Sequence, residues 1–417
     1  MHRFKRLEFK KRAWLTVSAV VVLLVLALAG WSLLSNKDTP ADKSIGEPTL
    51  IGSQYNFSSK QQEMLLNQYY LPCKSQTCIY QAAKDLTNKY DPQTALSVLS
   101  LYRDKYPKRL TGDSHEWAHI VGHATAKKYG INGKAFLMCP TTFNYGCMHG
   151  FFEEALSRGG SERQVIDSIC GSLEKDSSYS SKFVFYCYHG VGHGLMQSYE
   201  YDLGKALAVC DSLVKSADQE GCWQGVFMEN INGSMTGDSK PGVFKADDPL
   251  APCDTIASKY WHECYINQGA HLAITAAYDV NKAAAYCQKA DQSQIEACGE
   301  SLGILVSSDS WQSLFLKPGD SSDPTVASWA ICQRFPPAQV QSCVLGAVDW
   351  ILQNDELNLK RAGQFCGSTI ADAYAQRCYQ QVGSAVASQS INKTAARNIC
   401  QSLPAAGRSI CSAEVGA

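Results

Sequence analysis

Eighteen cysteines constrain this chain more than any other feature. From Cys139 onward they fall into the couples 139/147, 170/187, 210/222, 253/264, 287/298, 332/343, 366/378 and 400/411, the last six spanning 11 or 12 residues. The first members of successive couples lie 31, 40, 43, 34, 45, 34 and 34 residues apart. A beat near 34 residues is the size of a helix–turn–helix repeat. The number is even, and no C-x-x-C pair marks a thiolate metal site or haem attachment, so the spacing points to disulfides in an oxidising compartment. Sequence leaves the connectivity open; pairing of neighbours is the arrangement a repeat makes simplest.

Each unit reads alike. An alanine-rich segment ends in a cysteine (KALAVC, KAAAYC, TAARNIC), a polar turn follows, and a second cysteine opens the next helix. Three or five residues past that cysteine stands a glycine: Gly150, Gly190, Gly225, Gly269, Gly303, Gly346, Gly383 and Gly416. Glycine inside a helix costs about 1 kcal/mol against alanine, so its recurrence predicts close helix–helix approach in every unit. The expected fold is all-α, a disulfide-stapled α-solenoid of helix–turn–helix repeats behind an N-terminal transmembrane helix. In period and architecture residues 115–417 resemble the tetratricopeptide-like and Sel1-like helical repeats, although neither family's signature residues occur.

Residues 1–12 form a basic tail carrying Arg3, Lys5, Arg6, Lys10, Lys11 and Arg12 against Glu8. Residues 13–34 are 22 uncharged, mostly apolar positions, enough to cross a bilayer with the N-terminus held in the cytoplasm. A long signal peptide cut after Ala27-Leu28-Ala29 is the competing reading; both export the remainder. The expected localisation is therefore a single-pass membrane protein with an extracellular or periplasmic ectodomain. Residues 35–62 read as a linker, 63–235 as a His-bearing helical half, 236–252 as a loop and 253–417 as plainer Cys-rich repeats. Outside the tail, 32 basic side chains face 38 acidic ones, which gives no electrostatic reason to expect nucleic acid as a partner.

Of eight histidines beyond the anchor, six fall between 115 and 193. Two residues after a helix-opening cysteine stand His149, His189 and Gln224; His119 holds that place where Trp117 replaces the cysteine. Four residues further come Glu153, His193, Met228 and His123. Later units keep cysteine and glycine but put Ile266, Glu300, Leu345 and Gln380 there. Histidines confined to the first units point away from plain packing. His119, His123, His149, Glu153, His189 and His193, with His115 beside them, form a candidate transition-metal site, with zinc or iron as the expected ion. Glu116, Glu154 and Glu229 are candidate supporting carboxylates.

The run His115-Glu116-x-x-His119 also spells H-E-x-x-H, in which Glu116 would be the general base of a metallopeptidase. His123 resembles the third ligand of metzincins but stands two residues short of its place. The leading expectation is a binding or scaffold protein carrying the metal, with a protein partner on the C-terminal repeat surface. A metal-dependent enzyme, either peptidase or oxidoreductase, is the alternative. No nucleophile elbow, phosphate-binding loop or dinucleotide fingerprint is present.

Overall fold

The computed structural model describes residues 52–106, 114–158, 160–176, 179, 181–236, 243–245, 247–308, 311–354, 359–389 and 393–416. The tail at 1–12 and the anchor expected at 13–34 lie outside them. Among the described residues no helix is long and apolar enough to cross a membrane. Secondary structure there is helical throughout, with a single isolated bridge between Lys245 and Asp248 and no β-strand.

Local chemistry sets the helix ends. Asp91 accepts from Thr94 N–H at 2.7 Å and Pro92 occupies the first turn, opening Pro92–Lys105 as its sequence predicts. Ser58 and Gln61 form a reciprocal capping box, so a helix starts at Ser59, inside the segment expected to be linker. Asn132, Asp202 and Asp279 cap the short helices that lead into three of the cysteine couples.

All eighteen cysteines are paired, and every bond joins sequence neighbours. Cys210–Cys222, for example, ties the end of Leu203–Asp211 to the start of the next helix. Closing a loop of that size removes about 3 kcal/mol of freedom from the unfolded chain.

The helices that follow these turns pack on one another in chain order. We number them α1 (Ser114–Tyr129), α2 (Gly146–Ser157), α3 (Ser181–Ser198), α4 (Ser216–Thr236), α5 (Ile295–Ser307), α6 (Val340–Asn354) and α7 (Asp372–Gln389). The short helices Trp261–Tyr265 and Gly269–Thr275 bridge α4 and α5. Beneath α2 and α3 the fully buried Phe136, Phe151, Phe152 and Phe183 make an aromatic cluster, with Phe136 centred 5.3 Å from Phe152. Each such ring contributes about 1.5–3 kcal/mol by leaving water.

The His-bearing and plainer halves are not separate domains. The described residues from 52 onward belong to one compact unit, and Asp349 on α6 lines the same cavity as Tyr186 of α3. A cavity of about 250 Å³ opens between the halves, with His115, His149 and His189 on one wall and Ile304, Asp349 and Trp350 on another.

Candidate metal centre

Glycine permits the centre. A Cβ built on Gly122 of α1 would lie 2.0 Å from the Cys147 carbonyl oxygen, and one on Gly150 of α2 2.0 Å from that of His119. Gly192 and Gly225 meet in the same reciprocal way across α3 and α4, at 2.2 Å from Cys222 O and 1.9 Å from His189 O. Backbones this close bring imidazoles from neighbouring helices into mutual reach.

Five of the expected residues converge. His115 and His119 of α1 face each other Nε2 to Nε2 at 3.0 Å; His189 and His193 of α3 do so at 3.1 Å. His149 of α2 sits between the pairs, its ring centre 5.1 Å from that of His115, 5.5 Å from His119, 4.9 Å from His189 and 4.4 Å from His193. Ligand atoms of His115, His119 and His149 lie within 4.8 Å of one another, as do those of His149, His189 and His193. Glu153, His193 and Glu229 form a third group of that kind. These buried His and Glu groups could hold a metal ion.

The back of each paired ring is held. His115 Nδ1–H donates to the Phe143 carbonyl at 2.8 Å, and His119 Nδ1–H to Glu153 Oε1 at 2.7 Å. His189 Nδ1–H donates to Gln224 Oε1 at 3.0 Å, and His193 Nδ1–H to Glu229 Oε2 at 2.9 Å. Tyr201 and Gln197 donate to the other oxygen of Glu229. Four acceptors behind the rings thus hold each Nδ1 and leave each Nε2 facing inward, the orientation typical of metal-binding histidines.

Charge then separates the pairs. Burial opposes a charge on His119, but the adjoining Glu153 carboxylate outweighs it and raises its pKa to about 10. Its Nε2–H therefore donates to His115. Burial, then the charge on His119, lowers His193 to about 3, and burial beside His193 holds His189 well below the usual histidine range. The Nε2 atoms of His189 and His193 lie 3.1 Å apart, and in the tautomer in which each Nδ1 donates to the acceptor behind it two neutral rings would have no proton to share there. His149, 1% exposed, has no hydrogen-bond partner at either nitrogen. An orphaned buried polar group costs about 1–3 kcal/mol, so this cluster is poorly satisfied by its own atoms.

The remaining expected ligands take other positions. His123 turns to Glu153 Oε2 at 2.8 Å and Glu154 Oε2 at 3.3 Å, away from the five rings. Glu153, held well below the usual carboxylate range by His119 and His123 despite its burial, stands behind those two rings. Glu154 is also tied to Lys127 and Arg158 at the surface. Glu116 lines the cavity beside His115 and His149. Sequence reasoning missed the roles of Gln224, Tyr201 and the Phe143 carbonyl. Gln224 had a signal, because it shares the repeat position of His149 and His189. The Phe143 carbonyl had none: it is aimed by three successive left-handed residues, Phe143, Asn144 and Tyr145, at φ 57°, 52° and 63°.

Compared with known proteins, the chain matches no family model, no curated protein and no solved structure.

Proposed function

We propose that this protein is a membrane-anchored, extracytoplasmic α-solenoid that binds a transition-metal ion, zinc or iron, among its buried histidines. The ion serves chemistry on a small molecule held in the adjoining cavity. One observation carries the metal: the Nε2 atoms of His189 and His193 face each other at 3.1 Å, beside a buried His149 with neither nitrogen partnered. A cation between those two atoms would take the lone pairs of His189 and His193, with a His149 ligand atom within 4.8 Å of both. Nitrogen atoms 3.1 Å apart, each about 2.05 Å from an ion, subtend roughly 98° there, between the octahedral and tetrahedral angles.

The cavity favours an enzyme over a purely structural metal. His115, His149 and His189 reach its wall, and Glu116 stands among them, able to take a proton from water polarised by the ion. Its volume of about 250 Å³ lies below the usual range for drug-sized ligands, which suits a small substrate better than a polypeptide. Hydrolysis is the reading if Glu116 is the base; oxidation is the reading if iron is the ion. A second function rests on exposed Ile274, Tyr278, Leu314, Leu316 and Val326, which make the C-terminal half a candidate surface for a protein partner.

Metal analysis tests the proposal. Oxidised full-length protein in detergent, dialysed against a weak chelator, should retain zinc or iron, and His189→Ala/His193→Ala should lose it. Wild type that emerges metal-free and takes up neither ion would overturn the reading. Where metal is retained, Glu116→Gln separates the chemistries: a hydrolase loses activity with its metal in place, whereas an oxidase keeps turnover.

A further inference from the structure

We infer that the five histidines hold two metal ions, one on each side of His149, with this ring as the shared ligand. The inference rests on the metal-binding reading above and goes beyond it in number and arrangement. Two all-histidine clusters of ligand atoms, His115/His119/His149 and His149/His189/His193, share His149, while a third group, Glu153/His193/Glu229, adjoins the second at His193. Each all-histidine cluster supplies a pair of Nε2 atoms, 3.0 Å apart in one and 3.1 Å in the other, at the spacing of neighbouring ligands around one ion. Every one of those four rings has its Nδ1 committed to an acceptor, so each can serve one ion only.

His149 differs from all four. It is fully buried, yet no carbonyl, carboxylate or amide stands behind it, and both its nitrogens lack a partner. A terminal ligand of the kind its neighbours form would have one nitrogen anchored. A ring left open at both nitrogens, met edge-on by His115 and His119 and stacked against His193 at 4.4 Å, is the one ring of the five that a bridge could use. Binding a second ion removes the remaining N–H proton of His149 to solvent. The resulting imidazolate anion offers one lone pair to each cation and lies between two positive charges. Filling the first cluster also displaces the proton that His119 shares with His115, which likewise leaves to solvent. Glu153 stands behind His119 of the first pair and Glu229 behind His193 of the second.

The test is the stoichiometry of Co(II) and Zn(II) uptake by the oxidised full-length chain. Two equivalents per chain are expected, with magnetic coupling between the two Co(II) ions through the shared ring. His115→Ala/His119→Ala should bind one equivalent with the coupling abolished. His149→Ala should weaken both sites by at least 100-fold. If His149→Ala does not fold, the double variant decides alone, since retention of two equivalents by it overturns the assignment. A single equivalent in wild type also overturns the bridge while leaving the metal-binding reading intact. No uptake at all overturns that reading itself.

Discussion

The two halves share one frame and differ in what they hang on it. In the first, Gly122 and Gly150 press α1 and α2 together at 2.0 Å Cβ-to-carbonyl spacings; in the second, Gly303 and Gly346 do the same for α5 and α6 at 2.2 and 2.0 Å. Disulfides Cys210–Cys222 and Cys332–Cys343 close equivalent turns. Yet the repeat position holding His119, His149 and His189 in the first half holds Glu300 and Leu345 in the second. The second half shows that the frame needs no histidine. Imidazoles in the first half therefore answer to something other than packing.

The sharpest way to break this comparison is to add one methyl group to each half. Gly150→Ala and Gly346→Ala should each cost about 4 kcal/mol or prevent folding, because the clash is with backbone that cannot rotate away. Thermal unfolding would show it; tolerance of one substitution but not the other would mean that the halves do not share a frame. Removing a staple comes next. Cys210→Ser/Cys222→Ser and Cys332→Ser/Cys343→Ser should lose similar amounts, about 3 kcal/mol each by denaturant unfolding.

Glu263, at the junction of the halves, gives a pH-dependent effect. Burial, then the nearby Glu220, raises its pKa to about 8. The folded state thus binds a proton that the unfolded state releases above about pH 4.5, so stability falls as pH rises between those values and levels off above 8. Glu263→Gln should raise stability by about 2 kcal/mol at pH 8 and leave it unchanged at pH 4, read from melting curves. An equal gain at both values would refute a titration origin.

The smallest effect is the most telling for function. His149→Leu imports the residue that the second half uses, Leu345, and removes two orphaned nitrogens. Metal-free protein should become about 1 kcal/mol more stable while losing metal affinity. A variant less stable in the absence of metal would show that His149 is there to pack.

The cysteine couples were legible as a beat, and the neighbour pairing, simplest of the connectivities the sequence leaves open, is the one the structure has. The helix start at Pro92 was legible from Asp91 and Pro92 themselves. The histidine ladder was legible only as a set of matching places. Its rungs were misdrawn: the sequence register pairs His119 with His123, whereas the structure turns His119 toward His115. Successive positions four apart drift by about 40°, so His123 lies roughly 80° around the helix from His115. Glu153 then captures His123 Nε2 and holds it outward. No spacing rule could show which side of each ring would find an acceptor, since that depends on Gln224 and on the Phe143 carbonyl from other elements.

The disulfides have a consequence for how the molecule is made. The longest joins residues only 17 apart, and six span 11 or 12. A chain emerging N-terminus first presents each cysteine with its correct mate before the next couple arrives, and closing so short a loop is fast and entropically cheap. Oxidation can therefore proceed link by link along the growing chain, much as a zip closes. Eighteen thiols, which in a scrambled pool would have an enormous number of wrong pairings, meet their partners almost one choice at a time.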